Sequence, residues 1–84
     1  MGLRFGGIQN KATEKSKKAV TAADKTELGR KYLTELNYTE AVASFTEAIG
    51  LDPENIPAYM GRAEAYVALK QYDDAKADYT TAIE

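Results

Sequence analysis

Residues 32–50 read YLTELNYTEAVASFTEAIG, and residues 66–84 read YVALKQYDDAKADYTTAIE. Placed one above the other, with Tyr32 on Tyr66, the two stretches share seven identical positions. The first-copy members of these identities are Tyr32, Tyr38, Ala41, Ala43, Thr46, Ala48 and Ile49. Over the 29 pairs from 22/56 to 50/84, ordinary composition would give about two identities by chance. The chain therefore contains an internal repeat.

Within each copy, apolar residues recur every three or four positions, which is the spacing of one face of an α-helix. The first copy has one such stripe around Tyr32 and another around Phe45, and the second copy has stripes around Tyr66 and Tyr79. No stretch alternates apolar and polar residues with a period of two, so we predict no strand. The predicted fold class is all-α: antiparallel helix-turn-helix repeats with four main helices. An additional N-terminal helix is left open.

Turn signals separate the predicted helices. Asn37 tolerates the left-handed backbone conformation and is predicted to end the first helix. Gly50 is predicted to cap the second helix, and Pro53 disfavours helix in the residue before it. Pro57 suits the first turn of the third helix.

The distribution of charge suggests how the chain is organised. Residues 1–20 carry 5 − 1 = +4, whereas residues 21–84 carry 6 − 12 = −6. We predict a basic N-terminal arm (1–21), either partly disordered or extending the first helix. A first repeat (22–55) and a second repeat (56–84), truncated at its C-terminal end, follow.

Composition excludes several classes of function. Cys and His are both absent, which removes disulfides, thiolate nucleophiles, the usual zinc sites and histidine acid–base chemistry. No apolar run approaches the roughly 18 residues of a membrane span. Asp74 and Asp78 share a helix face, and we interpret them as a solvated acidic face rather than a metal site. We therefore expect no enzyme, no metal and no cofactor. The lack of Cys fits a cytoplasmic location.

Over residues 22–84 the repeat resembles the tetratricopeptide repeat family, whose units have the same period of about 34 residues. The residues that carry the resemblance are Leu28, Gly29, Tyr32, Ala41, Phe45, Ala48 and Pro53 in the first copy, and Tyr59, Ala63, Tyr66, Ala75, Tyr79 and Ala82 in the second. The chain departs from the family pattern at Lys25, where the family has Trp, and at Arg62, where the first copy has Leu28.

The resemblance implies a protein–protein interaction module or scaffold that holds a peptide or helix in a concave groove. The groove residues that it implies are Thr26, Arg30, Leu33, Met60, Glu64 and Val67. Some family members clamp a C-terminal carboxylate with Lys and Asn, but this chain has Thr26, Arg30 and Gly61 at the corresponding positions. We therefore predict no such clamp. Arg30 and Glu64 are expected either to form a surface ion pair or to contact the ligand.

Self-association is the alternative function. Natural arrays finish with a helix whose outer face is polar, whereas this sequence stops at Glu84. We therefore expect a fragment of a longer protein, or a homo-oligomer that associates through its uncapped end. The predicted self-association face consists of Tyr66, Leu69, Tyr79 and Ile83. The lysines of residues 11–18 have no aromatic residues among them, so we do not expect nucleic-acid binding.

Overall fold

The computed structural model describes residues 20–84 of the chain. This part contains four α-helices: α1 (Ala22–Thr34), α2 (Tyr38–Leu51), α3 (Ile56–Ala68) and α4 (Tyr72–Ile83). Consecutive helices pack against each other, and α1 also packs against α3. The all-α class and the four main helices are thus confirmed for the described residues. Residues 1–19, and with them most of the predicted basic arm, lie outside the described part.

Helix α1 begins at a capping box. Thr21 has an extended backbone, with φ −107° and ψ 168°, and its Oγ1 accepts a hydrogen bond from the Asp24 N–H at 3.2 Å. In return, the Asp24 carboxylate accepts one from the Thr21 N–H at 3.0 Å. The two bonds satisfy donors that the first turn of a helix leaves unpaired. Because Thr21 is not helical, α1 does not continue backwards through it.

Helices α1 and α3 are followed by the same turn, in which the second residue after the helix has left-handed backbone. Leu36 has φ 63° and Lys70 has φ 65°. After α1, the Asn37 N–H donates to the Tyr32 carbonyl at 2.8 Å, and the matching bond forms after α3. These bonds define Schellman motifs, which satisfy carbonyls at the helix end. The prediction that Asn37 adopts the left-handed conformation is wrong, because the helix stops at Thr34 and the motif then requires it of Leu36.

The connection between the two repeats also differs in detail from the prediction. Helix α2 continues through Gly50 to Leu51, so the predicted cap at Gly50 is wrong. No glycine among the described residues has a positive φ. Asn55 caps α3 through its Oδ1, which accepts from the Ala58 N–H at 3.2 Å. Pro57 lies in the first turn of α3, as predicted.

Phe45 of α2 is the centre of the core and is fully buried. Its ring lies against two glycines, Gly29 of α1 and Gly61 of α3. A Cβ atom on Gly29 would lie 2.7 Å from the Phe45 Cε1, and one on Gly61 would collide with the ring more severely. Since protein interiors are close-packed, α1 and α3 can both contact this ring only because each has a glycine there. The alanines buried with Phe45 are Ala41, Ala48, Ala58 and Ala65.

The first prediction concerns this close contact. We expect Gly61→Ala to lower the free energy of unfolding by about 1–2 kcal/mol, because overpacking at Phe45 outweighs the roughly 1 kcal/mol gain in helix propensity. Gly50→Ala is the matched control, since Gly50 is helical and an added Cβ there would meet no atom of a neighbouring element within 4 Å. That variant should be stabilised by about 0.5–1 kcal/mol. Urea unfolding measures both, and equal stability of the two variants would contradict the packing argument.

The second prediction concerns the left-handed residue after α3. Lys70→Gly should raise the free energy of unfolding by about 0.5–1 kcal/mol. Glycine removes the strain of roughly 1–2 kcal/mol that a residue with a Cβ atom has in this conformation. Part of this gain is lost, because glycine has more conformational entropy in the unfolded state. Lys76→Gly, at an exposed position inside α4, should instead lose about 1 kcal/mol. Thermal unfolding followed by circular dichroism compares the two, and a loss of stability in both would reject the prediction.

Candidate functional site

A groove of about 330 Å³ opens where the C-terminal ends of α1 and α3 lie side by side. Its lining residues are Leu33, Tyr38, Glu64, Val67, Ala68 and Tyr79. Three of them are aliphatic and two are tyrosines, and Glu64 is the one charged residue among the six. The groove therefore has a mixed lining of aliphatic side chains, tyrosines and a single carboxylate.

The repeat explains why these side chains meet. Leu33 and Val67 occupy equivalent positions of the two copies, in the last turns of α1 and α3. Glu64 lies one turn before Ala68, so both project from the same face of α3. Tyr38 is the first residue of α2, and the Schellman turn after α1 brings it back beside Leu33.

Of the six predicted groove residues, Leu33, Glu64 and Val67 line this groove together. Arg30 and Met60 are exposed on α1 and α3, but they are not among its lining residues. The lining residues outside this predicted set of six are Tyr38, Ala68 and Tyr79. Tyr38 was recognisable only as a repeated tyrosine, and Tyr79 was assigned to the self-association face.

Thr26 does not present its hydroxyl to the groove. It is only 7% exposed; its hydroxyl donates to the Ala22 carbonyl at 2.8 Å and accepts from the Asn55 Nδ2 at 2.9 Å. Thr26 therefore ties α1 to the residue that caps α3. Gly61 lies beneath the Phe45 ring. Of the three positions compared with the carboxylate clamp, only Arg30 remains exposed.

Glu64 and Arg30 do not form the expected ion pair. Within residues 20–84, the ion pairs are Lys25–Glu47 at 2.9 Å and Arg62–Asp78 at 2.7 Å. The surface-pair alternative is therefore wrong. The Glu64 carboxylate lines the groove without a cationic partner among the described residues.

Arg62 makes the most extensive polar contacts in this part of the chain. Its Nε and Nη2 donate to the two carboxylate oxygens of Asp78 at 2.7 and 2.8 Å, and its Nη1 donates to the Thr46 hydroxyl at 3.0 Å. The guanidinium carbon also lies 5.9 Å from the ring centre of Tyr59 and 5.7 Å from that of Tyr66. One side chain of α3 thereby connects α2 and α4 through a two-pronged ion pair, a hydrogen bond and cation–π contacts.

Asp78 is only 5% exposed, so its assignment to a solvated acidic face is wrong. Its hydrogen bond to the guanidinium raises the pKa of Arg62 above the usual value, although burial of that group acts in the opposite direction. The arginine thus remains charged beside its partner. A signal for this pair was present in the repeat, because Arg62 and Asp78 replace Leu28 and Ser44 of the first copy. The two positions at which the copies differ in this way lie opposite each other on α3 and α4, where the charged side chains pair.

The four residues predicted to form a self-association face have different environments. Tyr66 is half-buried beside Arg62, and Leu69 is half-buried at the end of α3. Ile83 is 81% exposed near the end of α4, and Tyr79 is 36% exposed and lines the groove. Tyr79 thus lines the groove and lies one helical turn before the exposed Ile83.

Residues 20–84 contain no cluster of metal-ligating side chains and no helix suited to span a membrane. No group of three or more acidic side chains there is arranged to hold a metal ion. Across the same residues, no helix has both the length and the apolar character required to cross a membrane.

Two helix pairs with equivalent sequences, and with an aromatic side chain shared between them, define a helical-repeat protein of the α-solenoid class. The family model for the tetratricopeptide repeat matches residues 32–77. The chain belongs to the tetratricopeptide repeat family, as the sequence predicts. Tetratricopeptide repeats generally mediate protein–protein interactions.

Several curated proteins resemble the chain. "DnaJ homolog subfamily C member 7" of Mus musculus is 35% identical over 85 residues, which cover 96% of this chain and 17% of that protein. "Small glutamine-rich tetratricopeptide repeat-containing protein beta" of Rattus norvegicus is 45% identical over 47 residues, or 56% of this chain and 16% of that protein. The chain spans about one sixth of the length of these relatives. No solved structure matches the chain significantly.

The third prediction tests the Arg62–Asp78 pair by introducing the residues of the first repeat. Arg62→Leu should lower the free energy of unfolding by about 2–3 kcal/mol, since it leaves a buried carboxylate without its cation. The double variant Arg62→Leu/Asp78→Ser should recover at least about 1 kcal/mol relative to the sum of the single variants. Glu47→Gln, in the more exposed pair, should lose less than about 1 kcal/mol. Urea unfolding measures these three variants together with the single variant Asp78→Ser; additive effects of the Arg62 and Asp78 substitutions would contradict the coupling.

Proposed function

We propose that this chain is a protein–protein interaction module that holds a peptide or a helix in the groove between α1 and α3. The observation that carries the proposal is that both repeats contribute equivalent apolar residues, Leu33 and Val67, to one open groove. Membership of a family that generally mediates protein–protein interactions supports the same function.

The composition of the groove fits the recognition of a side chain. Ligand sites are predominantly apolar and contain a few polar groups that orient the ligand. Here Leu33 and Val67 supply aliphatic surface, whereas the tyrosine hydroxyls and the Glu64 carboxylate supply polar contacts. This set of groups can bury and orient one or two side chains of a peptide. It does not include the paired nucleophile and base of a catalytic site, so we propose binding rather than catalysis.

The groove is also supported by a packed framework. The Phe45 ring spaces α1 and α3, and the Schellman turns fix the ends of the same two helices. A surface that is already ordered loses less entropy when it binds a ligand. This framework favours binding without rearrangement of the helices.

The test of the proposal begins with a screen of the full chain against a random library of twelve-residue peptides. Bound peptides should shift the amide resonances of Leu33, Val67 and Ala68. Val67→Asp should weaken their binding at least about ten-fold, because a carboxylate would replace apolar contact in the groove. Leu51→Asp, at an exposed apolar residue near the end of α2, should leave binding unchanged.

Circular dichroism of each variant separates loss of binding from loss of fold. Val67→Ala provides a second, milder groove variant and should give a smaller loss of affinity in a folded protein. Shifts confined to the outer faces of α2 and α4, with full affinity in both groove variants, would refute the groove proposal.

Self-association is the second candidate, and the exposure of Ile83 (81%) and Tyr79 (36%) favours it. Both side chains lie towards the C-terminal end of α4, and pairing with a second copy of the chain would bury them from water. If this occurs, the sedimentation mass rises with concentration, and Ile83→Ser restores the monomer mass. A monomeric mass up to high micromolar concentration would exclude this candidate.

A further inference from the structure

Glu64 is the one charged residue among those that line the groove. From its surroundings we infer that the groove selects peptides in which a lysine or arginine lies next to a bulky apolar residue. This inference rests on the proposed function, because it names the ligand of the same groove. The proposed ligand is a peptide segment that places one basic and one apolar side chain in the groove. A peptide that places an acidic side chain there binds more weakly.

The first reason is that the Glu64 carboxylate is available to a ligand. Its expected partner, Arg30, does not pair with it, and the two ion pairs of residues 20–84 involve other side chains. A ligand cation therefore does not have to displace an internal one. An acidic group in the same place would instead be repelled by the like charge of Glu64.

The second reason is the position of the groove at helix ends. Leu33 lies in the last turn of α1, and Val67 and Ala68 lie in the last turn of α3. The carbonyl groups at the C-terminus of a helix carry partial negative charge, which favours a nearby cation. Helix α1 has Lys31 in its last turn, whereas α3 has no basic residue in its last turn to neutralise this charge. Helix α2 begins at Tyr38 and would contribute the opposite sign, but Glu40 lies in its first turn.

The third reason is the two aromatic rings. Tyr38 and Tyr79 line the groove, and the face of a tyrosine ring attracts a lysine or arginine side chain. The same chain already shows this arrangement, since the Arg62 guanidinium lies 5.7 Å from the ring centre of Tyr66. A volume of about 330 Å³ is at the small end for ligand sites, which suits one cationic side chain and one apolar neighbour.

The fourth reason is the charge of the surrounding protein. Residues 21–84 carry a net charge of 6 − 12 = −6, and the full chain, with its basic first twenty residues, has a net charge of −2. Such a field attracts basic segments and raises their rate of association, while it repels acidic ones. The local and the overall electrostatics therefore favour the same class of ligand.

The experiment uses three nine-residue peptides of alanine and glutamine, each acetylated and amidated, with Leu-Arg, Leu-Gln or Leu-Glu at the centre. Each is titrated into the full chain, and the amide shifts of Val67 and Ala68 report occupation of the groove. We expect the Leu-Arg peptide to bind about five-fold more tightly than the Leu-Gln peptide, and the Leu-Glu peptide to bind most weakly. High salt should reduce these differences, because it screens exposed charges.

Variants of the protein assign the preference to one residue. In Glu64→Gln, the affinities for the Leu-Arg and Leu-Gln peptides should differ by less than about two-fold, and in Glu64→Lys the preference should reverse towards Leu-Glu. Glu54→Gln removes an equal charge in the loop before α3, at the other end of that helix, and should leave the preference unchanged.

The outcomes separate the two proposals. Equal affinities for all three peptides, with shifts at Val67 and Ala68, would overturn the basic–apolar preference and leave the groove proposal standing. A preference for Leu-Arg that persists in Glu64→Gln would overturn the role of Glu64. Absence of shifts at the groove with every peptide, together with a negative library screen, would overturn both proposals.

Discussion

The contact of the Phe45 ring with Gly29 and Gly61 is the constraint on which the rest of the structure depends. One aromatic side chain from α2 fills the space against both α1 and α3, and neither helix could approach it with a Cβ atom in place. The contact therefore sets the spacing of α1 and α3. Since Leu33 lies one turn after Gly29, and Glu64 follows Gly61 on the next turn, the same contact also sets the width of the groove between them.

The repeat was sufficient to predict the four helices, and the resemblance to the tetratricopeptide repeat family implied three of the six residues that line the candidate groove, Leu33, Glu64 and Val67. Leu33 and Val67 occupy equivalent positions of the two copies. The predictions that were wrong concern contacts that no local sequence pattern specifies. Thr26 looked like an exposed helical residue, but its hydroxyl is taken up by Asn55, which lies 29 residues away. The left-handed residue after α1 was assigned to Asn37 rather than to Leu36, because Asn has the stronger intrinsic preference for left-handed backbone.

The two repeats share a backbone plan but are stabilised differently. Where the first has Leu28 and Ser44, the second has an arginine and a carboxylate that form a largely buried, two-pronged ion pair. An ion pair requires more exact geometry than apolar contact does, so it restricts how α4 can sit on α3. Tyr79 follows Asp78 directly in the sequence and lines the groove. The pair therefore positions one wall of the candidate site without contacting a ligand.

Because the Phe45 ring packs against helices of both repeats, it limits where the chain can be divided, or its repeats duplicated, without loss of the core. The sequence repeats as units that begin at α1 and at α3, but the packed unit is α1, α2 and α3 together. A cut in the loop between Leu51 and Ile56 falls at a boundary of the sequence repeat and yet removes half of the surroundings of Phe45. Recombination at that loop preserves the core only if the incoming helix also has a glycine opposite the ring. A repeat that is exchanged between genes must therefore fit Phe45, which lies outside the exchanged segment.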